Sequence, residues 1–142
     1  MNPSDQPILQ LLESYRAAAL AKDVDAFLAL YDDHVCMFDL WTEWSYEGID
    51  ALRGMVTAWF GSLGNERISV EFSDVRTTVS PDLAMLHAFL SFTSLATDDT
   101  KLRAISNRLT WVLQPREGAW KIVHEHTSAP ADLATRKVIL QR

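Results

Sequence analysis

The stretch Trp120-Lys121-Ile122-Val123-His124-Glu125-His126-Thr127-Ser128-Ala129-Pro130 gathers side chains that can move protons or hold a metal. It follows the turn-forming run Pro115-Arg116-Glu117-Gly118 and stops at a proline, which cannot continue a central ladder, so it reads as one long strand. Side chains alternate across a sheet. Trp120, Ile122, His124, His126 and Ser128 therefore share one face, and Val123, Glu125 and Thr127 the other. Polar groups on both faces must each find a bonding partner, so neither face reads as plain solvent-facing sheet. Two imidazoles two positions apart can supply two metal ligands, but a zinc site takes three or four, with further groups to orient them. His87 falls on a neighbouring strand and no acidic partner accompanies it. We expect no metal, and we expect His124 and His126 to hydrogen-bond across a subunit interface.

Five tryptophans, Trp41, Trp44, Trp59, Trp111 and Trp120, are many for this length. Each has a large apolar surface to bury and an indole N–H to satisfy. Most read as core and interface, while Trp41, Trp59 and Trp111 could line a cavity suited to a flat apolar ligand. Nucleophilic catalysis has no support, since there is no Gly-x-Ser-x-Gly and nothing flanking Cys36 marks it as activated. No glycine loop that would cradle a phosphate is present, and no cofactor is implied.

Ile8, Leu11, Leu12, Tyr15 and Ala19 recur at the spacing of an amphipathic helix, with Ser4 placed to cap it and Tyr15 on the apolar stripe. A second, short helix is expected after Asp23, through Phe27, Leu28 and Leu30 to Tyr31, followed by a first strand over Val35 to Asp39. Leu40 to Tyr46 is aromatic-rich and reads as strand or loop lying over something concave. Gly48 opens a third helix with the stripe Ile49, Leu52, Val56, Trp59, Phe60 and Leu63, closed by Gly64-Asn65. Ile68 to Val79, Leu83 to Leu95, Leu102 to Leu113 and Trp120 to Ser128 then read as long strands. The breaks between them are too short for a parallel crossover, so these strands must be antiparallel. Helices followed by such strands make an α+β fold, three N-terminal helices covering one face of a curved, mostly antiparallel sheet.

At 142 residues the chain fits one domain, residues 1–142, with a core of about 8–130 and a polar, mobile tail over 131–142 in which Val138-Ile139-Leu140 could dock on a neighbour. It is 48% hydrophobic and 23% charged, ordinary for a globular protein. A net charge of −6 without a Lys/Arg cluster argues against nucleic acid, whose phosphates need a positive stripe. The longest apolar runs fall short of the roughly 20 residues that span a bilayer, so no membrane partner is expected. The single Cys36 fits a reducing compartment, and Met1 to Asp5 lack the basic and apolar regions of a signal peptide. A cytoplasmic protein is the expectation.

The run Gly-x-Trp-x-Ile-Val-His-x-His-x-Ser-x-Pro, with Tyr31-Asp32-Asp33 and Glu47-Gly48 upstream, resembles the SnoaL-like and ketosteroid-isomerase-like members of the nuclear transport factor 2 (NTF2) superfamily. The same tail resembles the association (hub) domain of calcium/calmodulin-dependent kinase II. The resemblance covers roughly residues 8 to 130 and implies an NTF2-like, cystatin-like cone. Its pocket opens between the first helix and the sheet, and the outer sheet face makes a dimer. Such a fold hosts enzymes, binding modules and assembly domains alike.

Laid on the isomerases, Tyr15 and Asp39 match the tyrosine that donates to a developing oxyanion and the aspartate that moves the proton. A carboxylate facing an apolar pocket is shifted toward the working range of a general base, and a phenol aimed at charge that develops in the transition state stabilises it selectively. The structural alternative is a core tyrosine with a satisfied hydroxyl and an aspartate that caps a turn. The isomerases' second acidic donor is missing, since the corresponding strand offers Asn107, Leu109 and Trp111. The same alignment turns Val123, Glu125 and Thr127 toward the pocket. There Glu125 needs a partner, with Asn107 or a water the simplest, or else a raised pKa and a second general-base role. The hub carries three basic pocket residues where this chain has Leu90, Trp111 and Thr127, which implies a more apolar lining.

The leading reading is a SnoaL-like protein that binds an apolar or aromatic small molecule, with Asp39 and Tyr15 catalytic and Trp41, Trp59, Leu90, Asn107, Trp111, Glu125 and Thr127 on the ligand. Its chemistry would be cofactor-independent isomerisation, cyclisation or dehydration. The competing reading is a non-catalytic homodimeric binding or assembly module like the kinase hub.

Overall fold

The helices form where the apolar spacing puts them. In the computed structural model, which describes residues 2–142, α1 (Gln6–Ala21) buries Ile8, Leu12, Tyr15, Ala18 and Ala19 on one face. Its start differs from expectation, because a 3-10 turn over Pro3–Asp5, capped by the Asn2 side chain accepting the Ser4 N–H, precedes it, and Asp5 at the start of α1 makes no side-chain capping bond. Its end is a left-handed Lys22 (φ 53°), whose ammonium donates to the carbonyls of Gly64 and Glu66 at 2.8 and 2.9 Å.

Asp23 caps α2 (Val24–Leu28) by accepting the Ala26 N–H at 3.0 Å. This helix stops short of Tyr31. The Ile122 N–H binds the Leu30 carbonyl at 2.9 Å and Tyr31 pairs with Ile122, so sheet pairing draws Tyr31 into β1 (Tyr31–Phe38). The aromatic-rich run after Phe38 is a loop of bends that leaves Trp44 96% exposed, and only β2 (Tyr46–Glu47) pairs with β1. Beyond Gly48, α3 (Ile49–Ser62) buries Leu52, Val56 and Phe60.

Four long strands follow, β3 (Arg67–Val79), β4 (Ala84–Leu95), β5 (Lys101–Arg116) and β6 (Ala119–Ser128), each antiparallel to the next as the short breaks require. β1 joins β6 in parallel, giving one open six-stranded sheet in the order β2-β1-β6-β5-β4-β3. The architecture is α+β. The inner face buries Leu86, Leu109, Trp111, Leu113 and Ile122, while Met85, His87, Arg108 and His126 stand exposed on the other. No helix among the described residues is long and apolar enough to cross a membrane.

Strict alternation fails at one place in β6. Val112 pairs with His124 but Leu113 with Ile122, so Val123 is the extra residue of a bulge. Ile122, assigned by alternation to the histidine face, is returned to the core at 0% exposure, whereas Glu125 and Thr127 keep the inner face. The tail does not trail free. Leu140 accepts the Ser106 N–H at 2.7 Å, Gln141 donates to the Ala104 carbonyl at 2.8 Å, and the Arg142 guanidinium lies 3.6 Å over the Phe89 ring. It docks on β4 and β5 of its own chain.

Gly48 enters α3 at φ 86° and ψ 163°, a conformation that side chains resist. A Cβ there would meet only the Asp33 carbonyl at 3.8 Å, so the strain of substitution lies in the backbone. Gly48→Ala should lower stability by about 1–3 kcal/mol in urea denaturation, and an unchanged midpoint would contradict this.

Candidate functional site

Between the helices and the inner sheet face lies a cavity of about 420 Å³, open to solvent on one side. That is within the usual range of roughly 300–1,000 Å³ for small-molecule sites. Its walls come from every part of the chain: Tyr15 from α1, Phe27 from α2, Asp39, Leu40 and Trp41 from the loop after β1, Met55 and Trp59 from α3, Phe92 and Ser94 from β4, Asn107 from β5, and Glu125 and Thr127 from β6. An aromatic cluster shapes the floor. Phe27 packs against Tyr15 at 4.7 Å and edge-on to Trp59 at 5.8 Å, and Trp59 meets Phe92 edge-on at 5.5 Å between ring centroids.

Glu125 is the polar centre of this floor. It is 4% exposed, and one carboxyl oxygen, Oε1, accepts the Tyr31 hydroxyl at 2.7 Å and the Trp111 indole N–H at 2.8 Å. These donors differ from the Asn107 or water expected from sequence. Burial pushes the Glu125 carboxyl up to about 7; the two hydrogen bonds hold it down and the Asp39 charge adds a smaller push upward. Oε2 takes no hydrogen bond from any described residue, so Glu125 presents this oxygen to the cavity it lines.

Tyr15 and Asp39 line the same cavity. No described residue bonds the Tyr15 hydroxyl, and burial first, then the Glu125 charge, raises its pKa well above the usual phenol value. Tyr15 therefore keeps its proton and is available as a donor. Asp39 follows the last residue of β1, and its Oδ1 accepts the Trp41 N–H at 2.9 Å, which fixes the carboxylate and leaves Oδ2 open. Burial raises its pKa from the ordinary carboxylate value, and the Trp41 bond offsets part of that. Asn107, 6% exposed, is among the lining residues, and its carboxamide oxygen is buried with no partner among the described residues.

Of the expected ligand contacts, Trp41, Trp59, Asn107, Glu125 and Thr127 line the cavity, whereas Leu90 and Trp111 do not. Leu90 is 1% exposed and Trp111 0%, because Tyr15 and Phe72 cover the Trp111 ring and Phe72 pairs across the sheet with Leu90. Trp111 acts on the site from beneath, through its bond to Glu125. Sequence reasoning placed Tyr31 at a helix end and missed its role, since 94 positions separate it from Glu125. The need of a buried glutamate for donors was the one available signal.

His124 and His126 lie on the opposite sheet face, where both pack edge-on against Phe38. His124 donates from Nδ1 to the Cys36 carbonyl at 2.8 Å, a bond within the chain. Among the described residues, no three His, Cys, Asp or Glu side chains converge in a way that could hold a metal.

Comparison with known proteins gives a consistent result. The sequence matches the family described as SnoaL-like domain over residues 8–132. No curated protein matches it. An NTF2-like protein of unknown function from Pseudomonas putida KT2440 superposes with a TM-score of 0.85 at 25% identity, over 97% of this chain and 94% of that one. A protein from Xanthomonas campestris, provisionally named a calcium/calmodulin dependent protein kinase II association domain, gives 0.77 at 15% identity over 93% and 91%. One from Novosphingobium aromaticivorans, provisionally named an aromatic ring hydroxylase, gives 0.71 at 19% over 89% and 90%. The fold is NTF2-like, and its sheet is not closed into a barrel.

The buried glutamate makes stability depend on pH in a defined direction. Its folded pKa of about 7 lies above the unbound value of 4.5, so its contribution is full below 4.5 and is lost as pH rises toward 7. Over that window the wild type should lose about 3 kcal/mol in denaturant titrations, and Glu125→Gln, which keeps an acceptor for Tyr31 and Trp111, should remove the loss. Identical pH profiles for the two proteins would contradict this.

Proposed function

The chain belongs to the SnoaL-like domain family, and from that membership and its aromatic cavity we propose that it binds an apolar or aromatic small molecule and turns it over by cofactor-independent acid/base chemistry of the isomerase, cyclase or dehydratase type. One observation carries the reading: an anchored carboxylate and an unpartnered phenol line one solvent-accessible cavity. Asp39 is the base, taking a proton from the ligand on its open Oδ2. Tyr15 donates to the oxygen on which charge develops. Trp41, Trp59, Asn107, Glu125 and Thr127 contact the ligand and orient it. The protein works in the cytoplasm, where Cys36 stays reduced.

The outer sheet face favours a second reading, a homodimeric binding or assembly module without turnover. Phe38, at 39% exposure, and Met85, at 38%, stand there beside the two histidines, the kind of apolar surface that a second copy could cover. Light scattering should then report a dimer or larger ring, and a monomer at micromolar concentration would remove this reading.

Native mass spectrometry of protein purified from its own source identifies the retained ligand, and incubation of that ligand in heavy water then reports proton exchange. Wild type should exchange a ligand C–H, Asp39→Asn should abolish exchange while still binding, and Tyr15→Phe should slow it by about 10²–10³-fold. Exchange that survives Asp39→Asn would overturn the assignment.

A further inference from the structure

The charge on the cavity wall leans one way. Glu125 Oε2 and Asp39 Oδ2 take no hydrogen bond from any described residue. Both are carboxylate oxygens and, when ionised, can only accept. The donors on the same wall, the Tyr15 hydroxyl and the Trp41 and Trp59 indoles among them, are neutral and do not offset that charge. Among the described residues, Arg103 is the one Lys or Arg on the wall, and its guanidinium is already forked onto both carboxylate oxygens of Glu66. Two carboxylates thus face the cavity with no uncommitted cation beside them.

The register sets these groups in order. Phe38 pairs with His126 in the parallel β1–β6 ladder, which brings Asp39 level with Thr127, beside Glu125. Asn107 lies further along β5, past the Trp111–Glu125 and Leu109–Thr127 pairs, and meets a different part of any occupant. The rings of Trp59 and Phe92 line the same wall.

Resting on the reading of the cavity as a small-molecule site, we propose that its ligand is a flat apolar molecule bearing a protonated amine, whose N–H groups meet Glu125 Oε2 and Asp39 while its frame lies against Trp59 and Phe92. Such a ligand brings N–H donors to both carboxylates, and it neutralises a pair that no described cation compensates. Carboxylate and phosphate ligands are repelled by the same pair.

A cation also interacts with Glu125 in a pH-dependent way. The groups facing Glu125 are Tyr31 on β1, Trp111 on β5, Tyr15 on α1 and Asp39 after β1, and none of them is cationic. A bound ammonium therefore favours ionised Glu125, and affinity rises as pH climbs through its titration.

Calorimetric titration with three naphthalene probes tests the inference: 2-naphthylmethylamine, 2-naphthylmethanol and 2-naphthoate. The amine should bind tightest, and its affinity should rise up to about tenfold between about pH 6 and pH 8. The alcohol should change less than about twofold, the naphthoate should bind weakest throughout, and Glu125→Gln should flatten the amine's response. The wild-type pH series decides the matter even if the variant does not fold. An amine that binds no better than the alcohol, with no pH response, would overturn this inference and leave the small-molecule reading standing. A tightest-binding naphthoate would overturn it as well. Failure of all three probes to bind would count against both.

Discussion

One carboxyl oxygen ties the structure together. Glu125 Oε1 accepts from Tyr31 and from Trp111, so a single atom on β6 joins the first strand to the fifth beneath the cavity. Each donor left facing a missing acceptor in this dry floor would cost about 1–3 kcal/mol. Both strands must hold their register for the pair of bonds to form. The arrangement also creates a vulnerability, because a carboxyl buried without a cation resists ionising. The protein keeps that cost at the place where a cavity is needed.

The rest of the site follows from how the chain meets this point. The bulge at Val123 resets the alternation of β6, placing Ile122 in the core while Glu125 and Thr127 still face the cavity. Tyr15 and Phe72 pack on Trp111, and both donors to Glu125 go to Oε1, which leaves Oε2 to the cavity side. Lys22 ties the end of α1 to the residues that follow α3. Trp41, on the cavity wall, is 47% exposed.

Much of the fold was legible because periodicity is a local signal. The stripes of α1 and α3 and the four alternating strands follow from side chains a few positions apart, and the short breaks between strands forced the antiparallel order. The long-range features were not. Tyr31 reads as the end of an apolar helix until its pairing with Ile122 is known, and a bulge leaves no mark on the alternation of Trp120 to Ser128. Of the cavity lining, Tyr15, Asp39, Asn107, Glu125 and Thr127 were legible through a resemblance that carries parity and position together, and Trp41 and Trp59 through the number of tryptophans. Leu90 and Trp111 were misjudged because facing inward is a matter of parity, whereas reaching the cavity depends on Tyr15 and Phe72 from other elements.

The central claim is that a carboxyl group, clamped through one oxygen and free at the other, sits at the floor of the cavity. Carbon-13 NMR of the glutamate side-chain carboxyls, with Glu125→Gln to assign the signal, measures it directly. The account predicts one glutamate that titrates near 7 and vanishes in the variant. A Glu125 signal that titrates at the ordinary 4.5 would mean that water or a cation reaches it, and the account of the floor would be wrong.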